Sequence, residues 1–118
     1  MTINDFSDEE KIFAVALFKR TVDEVAQKPL IGALWAYTGV PEYFRKFMTR
    51  YGDLALEAMV APDVAESHGL SAYVYRTMSE EKKRFLNNYF IESLNYANEP
   101  TLNYFALAIW NDLLKTLQ

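Results

Sequence analysis

The chain has 118 residues and a mass of 13.7 kDa, and 51% of its residues are hydrophobic while 24% are charged. This length and composition predict one globular domain, residues 1–118, with a core of its own rather than a disordered segment. The chain has no cysteine and a single histidine, His68. These counts exclude disulfides, thiolate metal sites and a multi-histidine metal centre within one chain, and they favour a cytoplasmic protein without a cofactor.

The net charge is -4 and the isoelectric point is about 5.0, so the surface as a whole is acidic. An acidic surface argues against broad binding to nucleic acid or to anionic membranes, and it favours a basic protein partner. The longest nearly uncharged run, 29–40, is shorter than the ~20 residues that span a bilayer, and it contains Gly32 and Gly39. The acidic N-terminus lacks the basic region of a signal peptide, so we expect neither secretion nor a membrane segment.

The first helix is predicted from a capping box. Ser7 and Glu10 stand three residues apart, the spacing at which each side chain reaches the backbone amide of the other residue. The helix should run to about Ala26. Its first half contains seven consecutive apolar residues, 12–18, which indicates burial between two layers of helices or, alternatively, a surface that meets a partner.

Proline and glycine divide the next segment into short helices. Pro29 is predicted to open a second helix over 30–38, which ends at Gly39. A third helix over 42–51 should end before Gly52, and Asp53 should cap a short helix over 54–61. The residues expected on the inner side of the third helix are Phe44, Phe47, Met48 and Tyr51, and those expected outside are Glu42, Arg45, Lys46 and Arg50.

In the second half of the chain, 62–67 is predicted to form one further helical turn that closes at Gly69. Segment 70–78 has the tyrosine and valine content of a strand, but an isolated strand has nothing to pair with, so we predict a short helix capped by Ser71. Two long helices follow over 80–97 and 101–117. The short turn between them predicts an antiparallel hairpin.

These elements predict an all-α fold, a single compact domain of about six or seven helices. We expect an irregular bundle with helical hairpins at its N-terminal and C-terminal ends. The last helix is apolar on most sides, and for this reason it is predicted to be the central element. Its apolar residues are Leu102, Phe105, Leu107, Ile109, Trp110, Leu113 and Leu117.

No motif for catalysis or cofactor binding is present in the sequence. Asp63, Glu66 and His68 do not follow the Glu-x-x-His spacing that places two ligands on one helix face, so we interpret His68 as a partner of the last carbonyls of its helix. The four glycines stand too far apart to cradle a phosphate. We therefore predict a protein that is not an enzyme and binds no metal, unless carboxylates such as Glu57, Glu66 and Glu92 converge in a pocket.

Two basic clusters, Arg45 to Arg50 and Lys82 to Arg84, allow two interpretations. Charged runs are usually solvated helix faces. Positive side chains in the first turns of a helix, however, oppose the helix dipole, and such a placement can mark a binding role. Because the chain is acidic overall, nucleic-acid contact is not the favoured reading of either cluster.

The aromatic content, 8 Tyr, 8 Phe and 2 Trp, exceeds what a small helical core requires. On the helix over 80–97, spacing predicts a core stripe of Leu86, Phe90, Leu94 and Ala97. A second stripe beside it consists of Phe85, Tyr89 and Tyr96. This second stripe either packs against another helix or faces a partner.

The sequence thus favours a non-enzymatic protein-binding module of the inhibitor or immunity type, which would neutralise a basic partner such as a toxin or nuclease by occluding its surface. The predicted anchors are Phe85, Tyr89 and Tyr96, and the predicted acidic rim is Glu80, Glu81 and Glu92. The alternative is a small-ligand-binding or regulatory domain. Its aromatic-lined pocket would surround Trp35, Tyr37 and Trp110.

Overall fold

The computed structural model describes residues 1–28 and 40–118, and in these ranges it contains six α-helices and one 3-10 turn but no β-strand. The 3-10 turn spans Ile3–Asp5, and the helices are α1 (Asp8–Ala26), α2 (Val40–Ala58), α3 (Pro62–His68), α4 (Ala72–Thr77), α5 (Glu80–Ala97) and α6 (Pro100–Leu117). The predicted all-α class is confirmed. The predicted helix over 30–38, and with it the N-terminal hairpin, lies outside the described residues.

Helix α1 is the centre of the bundle. It packs against α2, α3, α4 and α6, and Phe18 also meets Phe90 of α5 with ring centroids 6.0 Å apart. Every residue from Phe13 to Phe18 is buried, so the predicted burial of the apolar run between layers is confirmed. The expectation that the last helix is central was wrong: α6 buries Leu102, Ile109 and Trp110 along one side while Tyr104 lies exposed.

Capping residues fix the start of α1 as predicted. The Ser7 hydroxyl accepts from the Glu10 amide at 3.2 Å, and the Glu10 carboxylate accepts from the Ser7 amide at 2.8 Å. A second capping box, between Thr2 and Asp5, forms the preceding 3-10 turn. This turn places Ile3 and Phe6 in the core, a contribution from the N-terminal segment that the sequence reasoning missed.

Helix α2 runs without interruption through Gly52, so the predicted break there and the separate helix over 54–61 were wrong. Glycine in a helix interior costs only about 1 kcal/mol relative to alanine, and the buried residues on both sides of Gly52 outweigh that cost. The face of the helix also differs from the prediction. Tyr43 is buried, Arg50 is half-buried, and Met48, expected to point inward, is exposed.

The short helices α3 and α4 confirm the predicted turn over 62–67 and the helix capped by Ser71. Gly69 ends α3 with a φ of 65°, in the left-handed region that favours glycine. The Ser71 hydroxyl accepts from the Val74 amide at 3.3 Å and so begins α4. The tyrosine and valine content of 70–78 does not produce a strand, because within the described residues no strand is available to pair with this segment.

Helices α5 and α6 form the predicted antiparallel hairpin. The Phe90 and Trp110 rings stack at 4.2 Å, and the Trp110 indole donates to the Asn87 side chain at 3.1 Å. Nearer the turn, the side-chain amide of Asn103 donates to the Leu94 carbonyl at 3.0 Å. The sequence separation of the contacting residues becomes smaller toward the turn, as it does in an antiparallel pair of helices.

Candidate partner-binding surface

His68 and Ser67 do not form a nucleophile and base. His68 Nδ1 lies 2.8 Å from the Val64 carbonyl, which can only accept, so this nitrogen carries the proton. The Ser67 hydroxyl donates to the same carbonyl at 2.9 Å. Both side chains therefore satisfy the end of α3, which confirms the interpretation of His68 as a partner of the last carbonyls of its helix.

Glu66 does not converge with Glu57 and Glu92. Glu66 lies 3.9 Å from Lys19 beside the close Lys19–Asp23 ion pair, whereas Glu57 and Glu92 lie near Tyr89 on another side of the bundle. Within residues 1–28 and 40–118, no group of three or more His, Asp and Glu side chains is placed to hold a metal ion.

The basic cluster at the start of α5 is largely explained by its contacts. Lys82 makes an ion pair of 2.7 Å with Glu10 of α1, and its ammonium lies 5.6 Å from the Phe6 ring. Lys83 pairs with Glu80 at 3.4 Å and covers the Tyr75 ring at 4.7 Å. These contacts offset the unfavourable dipole interaction, so Lys82 and Lys83 tie α5 to the bundle.

The ion pair at Glu10 also leaves an electrostatic signature. Burial acts to raise the pKa of Glu10, but hydrogen bonds from Lys82 and from both the amide and the hydroxyl of Ser7 outweigh it, and the pKa lies below its ordinary value. The carboxylate therefore stays ionised in the folded protein. Its negative charge forms the ion pair with Lys82 that joins α1 to α5.

The basic cluster on α2 divides into two parts. Arg45 and Lys46 lie 3.6 Å and 4.0 Å from Glu42, one helical turn away, as expected of a solvated face. Arg50 instead turns toward α5. Its guanidinium lies 4.7 Å from the centre of the Tyr89 ring and 5.9 Å from that of the Tyr96 ring.

The second stripe of α5 lies along the junction with α2 and the N-terminal turn, and its three predicted anchors differ in exposure. Phe85 is half-buried and packs on Phe6 at 5.6 Å. Tyr89 is half-buried, meets the Phe18 ring edge-on at 6.2 Å, and donates to the Arg50 carbonyl at 3.5 Å. Tyr96 is 54% exposed. The first part of the stripe is thus used for internal packing, and only its C-terminal end is free.

Arg50, Tyr89 and Tyr96 together form what we term the aromatic seam between α2 and α5. The Arg50 Nε atom is buried and has no hydrogen-bond partner among the described residues. The interactions recorded for the Arg50 guanidinium are with the faces of these two rings. Cation–π contacts at exposed sites contribute about 0.5 to 1 kcal/mol, and Tyr96 lies at the surface end of the seam.

Three carboxylates act electrostatically on Tyr89 of the aromatic seam. Burial raises the pKa of Tyr89, the charge of Arg50 lowers it, and Glu57, Asp53 and Glu92 raise it further. These three carboxylates form no ion pair with any residue of the described ranges. Of the predicted rim, Glu92 therefore lies beside the seam.

The other two predicted rim residues lie at the opposite end of α5. Glu80 is exposed and paired with Lys83, and Glu81 is exposed. Sequence reasoning missed Arg50, Asp53 and Glu57 as neighbours of the stripe. Only the packing of α2 on α5 brings them there, and no signal in the sequence gave that contact.

The alternative ligand pocket around Trp35, Tyr37 and Trp110 stays a prediction. Trp110 is buried, its ring is parallel to the Phe90 ring, and its indole nitrogen donates to Asn87. Three open clefts of about 350, 420 and 500 Å³ lie elsewhere, and Trp110 lines none of them. Trp35 and Tyr37 lie outside the described residues.

No model of a known protein family matches the chain, and neither a curated protein nor a solved structure is similar to it. Among the described helices, none combines the length and the apolarity needed to cross a membrane. Function therefore has to be inferred from the surface geometry.

Proposed function

We propose that the chain is a non-enzymatic protein-binding module of the inhibitor or immunity type, which acts in the cytoplasm by occluding the surface of a basic protein partner. One observation carries the proposal. Tyr96 is exposed at the end of a cation–π stack, and Asp53, Glu57 and Glu92 lie around that stack without an ion-pair partner in the described ranges.

The aromatic seam suits an interface anchor because its tyrosines already have contacts within the fold. Tyrosine side chains have only two rotatable angles, and Tyr96 is further restrained by Arg50, which is itself held on Tyr89. A pre-ordered anchor loses little conformational entropy when a partner covers it. Tyr96 is therefore the expected centre of the interface, with Phe85 and Tyr89 acting as its internal support.

The carboxylates around the seam give the surface its charge preference. Aspartate and glutamate that have no internal partner attract lysine and arginine side chains, and such rim charges mainly raise the rate of association. A partner with a basic patch satisfies this surface, whereas nucleic acid is repelled by it. The net charge of -4 acts in the same direction at longer range.

The direct test is to capture a partner on the intact chain from cells of the source organism and to measure the affinity of the purified pair. Tyr96→Ala should weaken binding by about tenfold or more, the loss typical of an aromatic anchor. Glu92→Lys should slow association, chiefly at low salt. Tyr104→Ala, which changes an exposed tyrosine on α6, is the matched control and should leave the affinity unchanged.

The proposal is contradicted if Tyr96→Ala binds as tightly as the unmodified chain, or if the captured partner is acidic. If Tyr96→Ala and Tyr104→Ala have the same affinity for the partner, the interface lies elsewhere on the protein.

A further inference from the structure

A second surface, separate from the aromatic seam, exposes large apolar side chains from three elements. Met59, directly after the last residue of α2, is 89% exposed, and Tyr73 of α4 is 71% exposed. Val64 of α3 is also exposed. Isolated exposed apolar residues are ordinary, but a continuous group of them marks an interaction surface.

These side chains are continuous along two adjoining clefts. Met59 and Val64 line a cleft of about 500 Å³, and Tyr73 lines a cleft of about 420 Å³ together with Val74. Ile12 of α1 lines both clefts and joins them. We term these five residues and the two clefts the apolar groove.

Met59 has a backbone conformation that is unfavourable for a residue with a side chain. It ends α2 in the left-handed region with a φ of 55°, where the Val60 amide donates to the Ala55 carbonyl at 3.0 Å. Glycine is favoured at this position of a helix end because a side chain is strained there. Because the Met59 side chain is almost wholly exposed, internal packing does not compensate for that strain.

The polar residues of the apolar groove carry both signs of charge. Asp8 and Lys11 line the larger cleft, and Glu9 lines the smaller one. All three lie in the first turns of α1, and none forms an ion pair with another residue of the described ranges. A purely basic partner would be opposed by Lys11, and a purely acidic one by Asp8 and Glu9.

We infer that the apolar groove is the interface of a symmetric dimer with a second copy of this chain. In a two-fold interface the same patch meets itself, so the apolar side chains of one copy cover those of the other. Lys11 of each copy then faces Asp8 and Glu9 of its partner, and the unpaired charges are satisfied reciprocally. The inference does not rest on the proposed function, because Tyr96 is not part of the groove.

Sedimentation velocity of the intact chain, from about 1 μM to about 300 μM, covers the range in which small interfaces dissociate. A reversible monomer–dimer equilibrium is expected. A chain that stays monomeric throughout, or one that forms an open series of larger species, would overturn the inference.

Met59→Gly separates the interface from the fold. It removes the exposed side chain and the strained conformation together, so the melting temperature of the dilute monomer should rise by a few degrees. The dimer dissociation constant should increase by about tenfold or more. Tyr104→Ala, outside the groove, is the control and should change neither. A dimer that forms equally well in Met59→Gly does not use this groove.

A charge exchange tests the symmetry of the contact. Lys11→Glu should weaken the dimer at low salt. Each copy then presents three carboxylates, at positions 8, 9 and 11, to the same three carboxylates of the other copy. Adding Glu9→Lys to Lys11→Glu restores both signs and should recover most of the lost affinity. Failure of the double variant to recover, while it melts at the same temperature as the unmodified monomer, contradicts reciprocal pairing across the groove.

Discussion

The second stripe of α5 and the C-terminal end of α2 both carry large apolar side chains, but these side chains have different surroundings in the molecule. On α5, Phe85 and Tyr89 pack against Phe6, Phe18 and the backbone of α2. On α2, Leu56 and the adjoining Met59 remain exposed. Helical spacing thus predicts which side chains share a face, but it does not predict whether a neighbouring element covers that face.

The difference follows from the positions of the two helices. Helix α5 lies between α2 and α6, so apolar residues on two sides of it find partners. The outer side of α2 has no described helix across it at Leu56. Interaction surfaces in this protein are therefore expected where a stripe ends, as at Tyr96, or where it is left uncovered, as at Met59.

The largest effect is expected where α5 meets the other helices. Phe90 is fully buried, stacks on Trp110 at 4.2 Å, and also meets Phe18 and Phe47. Phe90→Ala should lower the free energy of unfolding by about 3 to 5 kcal/mol, through lost burial and the cavity left behind. Urea unfolding followed by far-ultraviolet circular dichroism measures this loss.

Ile91→Ala is the matched control, because Ile91 adjoins Phe90 on the same helix but lies on its exposed side. It should cost no more than about 0.5 to 1 kcal/mol. Similar losses for the two variants would mean that α5 presents a different face to the core.

A smaller effect is expected at the ion pair that joins α1 to α5. Lys82→Met keeps the packing on Phe6 but removes the charge, and it should cost about 1 kcal/mol at pH 7. Because Glu10 has a pKa below its ordinary 4.5, its stabilisation is complete above that value and is lost as the pH falls through the folded pKa. The difference from the unmodified chain should therefore shrink as the pH falls below 4.5. A difference that stays constant between pH 7 and pH 3 would contradict this assignment.

A small gain in stability is expected at Gly52, where the sequence predicted a helix end. A Cβ atom added there meets nothing within 4 Å, and the residue is helical. Gly52→Ala should therefore stabilise the protein by about 0.5 to 1 kcal/mol. Gly69→Ala, at a φ of 65°, should destabilise it instead. If Gly52→Ala also lowers the melting temperature, α2 ends where the sequence suggested.

The fold was predictable from the sequence where a side chain acts on nearby backbone. Ser7, Ser71 and Ser79 each begin a helix by accepting from an amide three residues on. The predicted helix end at Gly52 was wrong because glycine weakens a helix without ending it. The burial of residues on both sides of Gly52 keeps α2 continuous, and that burial depends on long-range packing. The central place of α1 depended on the same packing.

The candidate site was predictable only in part for a related reason. The stripe of Phe85, Tyr89 and Tyr96 follows from helical spacing, but its division into packed and exposed parts depends on which residues of α2 lie opposite. Arg50 turns two of these tyrosines into a seam, and it lies 39 residues before Tyr89 in the chain. Sequence spacing contains no information on such a contact.

The central claim is that the second stripe of α5 supports the fold at Tyr89 and is free at Tyr96. Urea unfolding of Tyr89→Ala and Tyr96→Ala, measured side by side, tests it most directly. Tyr89→Ala should lose about 2 kcal/mol, because its ring packs on Phe18 and carries Arg50, whereas Tyr96→Ala should lose less than about 0.5 kcal/mol. Equal losses, or a larger loss for Tyr96→Ala, would contradict the account.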